Sequence, residues 1–152
     1  MEKFIESFNF KLYDKEAILN WGLPEEVRKQ LGLNEFGYFF LTSSKEDTHK
    51  GAKHVHLSIF PTNFEIIKFL EIEIPVINPE NLQKMLQLVI KHKFEILTST
   101  GTCVENNKCF FGIFFSKPKD IYTEELVSDI KKIKDVRNVK VFNFSCDGCC
   151  KE

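Results

Sequence analysis

The chain has 152 residues, of which 43% are hydrophobic and 28% charged, a composition that predicts one globular domain or two small ones. Its net charge is −1, divided as −2 over the first 66 residues and +1 over the rest, which excludes a strongly basic domain that binds nucleic acid through phosphate contacts alone. No apolar run is long enough to span a membrane and no signal-peptide core follows Met1, so we predict a cytoplasmic protein without a membrane partner.

Residues 1–63 predict a small β-rich unit with one short helix. Alternating apolar residues predict three strands, over 2–13, 38–42 and 54–60. Between the first two strands, Leu23, Val27 and Leu31 recur at helical spacing, and Gly32 follows them as a C-cap. We therefore expect a helix that ends at Gly32, with a domain boundary after residue 63.

Residues 64–152 predict a second unit with the element order strand, helix, strand, strand, helix, strand. The predicted strands are 69–74, 94–98, 109–115 and 139–144. The first helix should begin at the N-cap Asn78 with Pro79 in its first turn, and the second at Thr123. This order predicts an α+β fold, a two-layer ferredoxin-like sandwich with strand order 4-1-3-2 and both helices on one face.

The element order of residues 66–144 resembles that of the amino-acid-binding regulatory (ACT) domain family. In that family the loop between the first strand and the first helix holds the ligand, and here that loop is Pro75-Val-Ile-Asn-Pro-Glu80, without the family's glycine. The resemblance implies Ile77, Asn78 and Glu80 as ligand-binding residues. It also implies a small-molecule-sensing regulatory protein, a class that includes transcription regulators, and a homodimer.

Bulky apolar residues also occupy strand positions that point away from the predicted helices. They are Phe69, Phe110, Phe114, Phe142 and Phe144. A sheet face in water rarely carries so many aromatic rings. We therefore predict that the N-terminal unit or a second subunit covers this face.

The stretch Leu23-Pro-Glu-Glu-Val-Arg-Lys-Gln-Leu-Gly-Leu33 resembles the half-barrel unit of the swapped-hairpin, AbrB-like transition regulators. The sequence departs from that family at Tyr38, which stands where the family has Asp. The resemblance implies that two chains pair and that DNA is a partner, contacted through Lys11, Lys15, Arg28 and Lys29. An amphipathic helix with an ordinary glycine C-cap accounts for the same residues without DNA.

The sequence Cys146-Asp-Gly-Cys149-Cys150 carries the most specific chemistry. Two thiolates separated by two residues converge on one metal ion or form a redox couple. His54 and His56 share one face of a predicted strand, at the same end of the sheet as the cysteines. The alternative function is therefore metal or thiol binding, with a transition metal such as zinc held by Cys146, Cys149, Cys150, His54 and His56. An inert tail beside two exposed histidines is the simplest interpretation of the same residues.

The remaining cysteines and histidines are predicted to be structural. Cys103 and Cys109 should be cross-strand neighbours in the reduced state, because disulfides are rare in the cytosol. His92 lies at the end of the first helix, where its charge suits the helix dipole. No phosphate loop, Ser/His/Asp set or nucleophile elbow is present, so an enzyme is the less favoured class and no catalytic residue is predicted.

Overall fold

A computed structural model describes residues 8–47 and 53–145; for residues 8, 9, 44–47, 53 and 54 only the backbone is described. Contacts divide the chain into two units. The described parts of Met1–Glu65 and Phe144–Glu152 form unit 1, and Ile66–Asn143 forms unit 2. The division differs from the one predicted, which assigned everything after residue 63 to a single domain. Each unit has its own sheet, and with four helices in the described chain the α+β class is confirmed.

Unit 1 is a three-stranded antiparallel sheet with two short helices. Its elements are β1 Phe8–Asp14, α1 Lys15–Leu19, α2 Glu25–Leu31, β2 Tyr38–Asp47 and β3 Lys53–Thr62, with sheet order β1-β2-β3. The helix α1 was not predicted, because Asp14 suits a turn as well as a helix N-cap. The Asp14 carboxylate instead caps the helix by accepting a hydrogen bond from the Ala17 N–H at 2.8 Å.

One cluster of buried apolar residues in unit 1 packs the helices against the sheet. Its buried members are Ile18, Leu31, Leu33 and Phe39. The helix α2 ends at Gly32 as predicted, because this residue adopts the left-handed conformation (φ 65°) and its N–H donates to the Lys29 carbonyl. The left-handed cap places Leu31 and Leu33 in the core while Arg28 stays at the surface of the helix.

Unit 2 is built on a four-stranded sheet. Its elements are β4 Ile66–Ile74, α3 Pro79–Lys91, β5 Glu95–Glu105, β6 Lys108–Ser116, α4 Glu124–Lys131 and β7 Asn138–Ser145, with sheet order β5-β6-β4-β7. The strand β6 pairs antiparallel with both β4 and β5. Numbered within the unit and read from the β7 edge, the order is 4-1-3-2. The last two residues of β7 belong to unit 1, where the Phe144 ring lies 5.6 Å from Phe40.

Both helices of unit 2 contribute to one apolar core. Its buried members are Leu70, Ile72, Ile74, Met85, Val89, Phe94, Cys109, Phe111, Ile113, Phe115, Leu126, Ile130 and Val139. The residues from β4 and β6 alternate in sequence, as a pleated strand requires when one of its faces meets helices. Even-numbered residues of β4 therefore point to the helices, and odd-numbered ones to the opposite face.

The starts of the two helices differ in how their free N–H groups are satisfied. The Asn78 side chain accepts a hydrogen bond from the Glu80 N–H at 2.9 Å with Pro79 in the first turn, so this predicted start is confirmed. Thr123 is the residue before α4, but its hydroxyl makes no capping hydrogen bond. Within the described residues, no helix combines the length and apolar character needed to cross a membrane.

His92 connects the two helices of unit 2. It lies at the C-terminal end of α3, and its Nε2 is 3.0 Å from Oδ2 of Asp129 on α4. Lys132 Nζ is 3.3 Å from the other carboxylate oxygen. The hydrogen bonds from His92 and then Lys132 hold the pKa of Asp129 below its ordinary value of 3.8.

Removal of the Asp129 charge should destabilise the protein at neutral pH. The lowered pKa means that the ionised carboxylate stabilises the folded state above the ordinary value, and that this contribution disappears as pH falls through the folded-state pKa. We expect Asp129→Asn to lower Tm at pH 7 and the difference from wild type to shrink in acid. Thermal unfolding at several pH values checks this, with Lys84→Gln as an exposed control on α3. A difference that is independent of pH would contradict the assigned role.

Candidate functional site

The loop predicted to bind an effector lies between β4 and α3. The Asn78 amide oxygen is occupied by the helix cap, and Glu80 forms an ion pair with Lys84 at 3.0 Å. Ile77 packs over the β5 backbone, since a Cβ added at Gly101 would lie 3.1 Å from Ile77 Cδ1. Each of the three predicted ligand-binding residues thus has a local structural contact. Ligand binding by this loop stays a prediction.

Most of the side chains predicted to bind a metal ion lie outside the part of the chain that the structure describes. Cys146, Cys149 and Cys150 lie outside the described residues, as does the side chain of His54. His56 lies on β3 with an exposed side chain. Among the side chains that the structure describes, no three or more Cys, His, Asp or Glu form a group suited to a metal ion.

Cys103 and Cys109 form a disulfide, so the prediction of reduced thiols is wrong. The two residues face each other directly in the pairing of β5 with β6, with their Cα atoms 3.9 Å apart. The register of the hairpin therefore brings the sulfur atoms together. The prediction considered the oxidation state of the compartment and gave too little weight to this local geometry.

The basic residues predicted to contact DNA lie on β1 and beside α2. Lys11 lies on β1, with its Nζ 5.0 Å from the centre of the Tyr13 ring. Lys15, Arg28 and Lys29 instead line one depression beside α2. Lys29 is also paired with Glu25 at 3.3 Å.

The most unusual group of unit 2 is the carboxylate of Glu71, in the middle of β4. This residue is only 2% exposed. Neither of its carboxylate oxygens has a hydrogen-bond partner in the part of the chain that the structure describes. Buried polar groups nearly always have such a partner, because leaving one unpaired costs about 1–3 kcal/mol, and more when the group is charged.

Aromatic rings surround Glu71 on the sheet face that points away from α3 and α4. Phe69 stacks on Phe114 with ring centres 4.3 Å apart, and Phe142 lies 6.0 Å from Phe69. Gly112 is directly opposite Glu71 in the pairing of β4 with β6, and a Cβ at Gly112 would collide with the Phe69 ring. The absence of a side chain at Gly112 therefore lets the Phe69 ring lie across the sheet.

This aromatic face is buried, whereas the identity of the layer that covers it stays a prediction. Phe69, Phe110 and Phe114 are each no more than 2% exposed. Sequence reasoning identified these rings but did not identify Glu71 as a site residue. One face of β4 carries residues with opposite preferences, because Phe69 indicates burial whereas Glu71 and Glu73 indicate exposure. This mixture was the feature of the sequence that could have identified Glu71.

The surroundings of Glu71 favour its neutral form. Burial raises the pKa of the Glu71 carboxyl above its ordinary value of 4.5; nearby Lys140 opposes this effect and Glu73 adds to it. A carboxyl group in this position holds its proton to a higher pH than an exposed one does, or acts as the counter-ion of a bound cation. Both roles are chemical ones that an apolar residue at the same position would not provide.

Two lysines near the end of the sheet were also missed by the sequence analysis. Lys117 is buried, and its ammonium group donates to the carbonyls of Pro118, Lys119 and Ile121, which fixes the loop before α4. Burial lowers the pKa of Lys68, and the charge of Lys117 lowers it further. Because Lys117 is satisfied by three carbonyls, it has a structural role.

No protein-family model matches the chain, and no curated protein matches it. The interpretation of the site therefore depends on the geometry and chemistry of its residues.

Replacement of the buried carboxylate by a neutral isostere should stabilise unit 2. Because the folded-state pKa of Glu71 is raised, the contribution of this group to stability is fully present below its ordinary pKa of 4.5 and is lost as pH rises through the folded-state pKa. We expect Glu71→Gln to raise Tm at pH 7 by about 3 °C, equivalent to about 1 kcal/mol, with a smaller gain in acid. Thermal unfolding against pH measures both values.

The matched control is Glu73→Gln, on the same strand face but half-buried. It should change Tm less than Glu71→Gln does at pH 7. A lower Tm for Glu71→Gln at pH 7 would show that the carboxylate stabilises the fold, in contradiction to the proposed cost.

Proposed function

We propose that this protein is a small-molecule-sensing regulatory protein and that unit 2 is its effector domain, with a ferredoxin-like, ACT-like fold. The sheet order β5-β6-β4-β7 and the shared core with both helices support this assignment. The working form in the proposal is a cytoplasmic homodimer, in which two copies of the effector domain respond together. DNA stays a predicted partner for the regulatory output.

Glu71 is the observation that carries the proposal. Two carboxylate oxygens without partners in the described chain reduce stability, and a protein tolerates such a group where it serves binding or catalysis. An ammonium group would neutralise the carboxylate, and the faces of the neighbouring Phe69 and Phe114 rings would attract the same cation. We therefore assign the effector to the chemical class of organic cations, and Glu71 as its counter-ion.

Burial of the site makes binding and conformational change inseparable. Because Glu71 and Phe69 are at most 2% exposed, an effector reaches the carboxylate only if the layer over this face moves. A ligand that binds the open form shifts the population toward that form by its difference in affinity for the two states. Such a shift is the property by which a regulatory domain reports an effector.

A second candidate function is redox sensing through the disulfide of the β5–β6 hairpin. The bond joins exposed Cys103 to buried Cys109 across the two strands. In a cytoplasmic protein, disulfides are usually transient and redox-responsive. Reduction by an external dithiol would break the S–S bond with two electrons and two protons, giving two thiols and oxidising the dithiol to its own disulfide.

The effector proposal predicts binding of simple organic cations that depends on Glu71. Butylamine, benzylamine and tetramethylammonium serve as probes in thermal-shift titrations of the full chain. At least one probe should raise Tm with increasing concentration in the wild type and not in Glu71→Gln, because mass action stabilises only a form that binds. Light scattering with and without that probe tests whether the dimer responds.

The control variant for the effector proposal is Glu80→Gln, which alters the loop implicated by the sequence. Loss of binding in Glu80→Gln with retention in Glu71→Gln would overturn the assignment to Glu71 and favour the loop after β4. A monomer at micromolar concentration, with and without probe, would overturn the dimeric mechanism.

The redox candidate predicts a specific loss of stability on reduction. Cys103→Ser/Cys109→Ser should lower the free energy of unfolding by about 2 kcal/mol, because a short cross-link restricts the unfolded chain. Dithiothreitol should produce a similar loss in the wild type and little in the double variant. Thiol titration should show two more thiols released from the wild type than from the double variant. Equal release from both would contradict a bond at this position.

A further inference from the structure

We propose that unit 1 contains a separate binding site for a small organic acid, between α2 and the start of α1. A depression of about 480 Å³ lies there, which is within the range of small-molecule pockets. Its walls include the apolar side chains of Leu19 and Leu33 and the basic side chains of Lys15, Arg28 and Lys29. This site is independent of the effector site proposed for unit 2.

Arg28 is the main polar anchor of the site. One guanidinium nitrogen, Nη2, donates to the Leu19 carbonyl at 3.3 Å, which orients the side chain along the wall of the depression. The Nε–H is buried and has no acceptor among the described residues. In the described chain Arg28 forms no ion pair, so its charge is available to a carboxylate. A guanidinium group binds carboxylates through paired hydrogen bonds.

The other charged groups of the depression set the charge of the ligand. Lys29 is compensated by Glu25 at 3.3 Å, and Lys15 forms no ion pair with any described residue. Glu35 also lines the depression and opposes the two uncompensated cations. Lys15 and Arg28 against Glu35 leave one excess positive charge. The charge balance therefore favours a monoanion over a multiply charged phosphate.

The apolar part of the lining indicates that the ligand has an apolar body. Leu33 is 8% exposed and belongs to the unit 1 core, whereas Leu19 is 39% exposed. A methylene chain or aromatic ring placed against these side chains would remove their apolar surface from water. A monocarboxylate with such a body satisfies both the cationic and the apolar walls.

The first experiment titrates the full-length protein with hexanoate, benzoate, acetate and inorganic phosphate. Trp21 is the only tryptophan and lies two residues after Leu19, so its fluorescence reports on unit 1. We expect saturable binding of hexanoate or benzoate, weaker binding of acetate, and no preference for phosphate. Absence of saturable binding by hexanoate and benzoate at millimolar concentration would overturn the proposal.

The second experiment assigns binding to Arg28. Kd should rise about tenfold in Arg28→Gln and less in Arg28→Lys, because lysine keeps the charge without the planar donor pair. Lys84→Gln, which removes the same charge from unit 2, should leave Kd unchanged. An unchanged Kd in a folded Arg28→Gln variant would overturn the assignment. If Arg28→Gln does not fold, Lys15→Gln replaces it, and an unchanged Kd would overturn the proposal equally.

A titration with DNA distinguishes an organic-acid site from a DNA-binding surface. A random-sequence DNA duplex titrated under the same conditions should not compete with hexanoate. Duplex binding that depends on Arg28, without saturable binding of any organic acid, would overturn the proposal in favour of a nucleic-acid surface.

Discussion

The pairing of β4 with β6 is the constraint on which unit 2 depends. Both strands are central, so their side chains must be suited to both faces of the sheet. Leu70 and Ile72 enter the core shared with the helices, while Phe69 enters the aromatic face. A shift of register by one residue would exchange the two sets. The register that buries the aliphatic side chains therefore also places Glu71 on the face that carries the rings.

A feature of the fold could be predicted from the sequence where it depends on contacts between residues that are close in the chain. The start of α3 at Asn78 and Pro79 and the end of α2 at Gly32 depend on hydrogen bonds within one turn, so the sequence indicated both. The helix α1 was missed because Asp14 suits a turn and a helix N-cap equally well. The burial of Glu71 depends on strands that are distant in sequence, so it is not encoded locally.

The two candidate effector sites of unit 2 differ in the state of their polar groups. At the loop after β4, the Asn78 oxygen already accepts a hydrogen bond and the Glu80 carboxylate already has a cation. A ligand there would have to replace existing interactions, which cancels much of its binding energy. At Glu71 a cation would gain an interaction with a group whose solvation has already been lost. The difference favours Glu71 on energetic grounds, although family resemblance points to the loop.

The two proposed sites favour ligands of opposite charge, because Glu71 in unit 2 would pair with a cation and Arg28 with Lys15 in unit 1 would pair with an anion. A simple ion of one sign therefore cannot pair with both sites, and each site selects its own charged group. Thermodynamic linkage then relates the affinities of the two sites for their ligands. If an organic acid changes the affinity for an organic cation by some factor, the cation must change the affinity for the acid by the same factor. If each ligand changes the affinity for the other by the same factor and this factor differs from one, the two units act as one regulatory device. If the factor is one, the chain carries two independent binding modules.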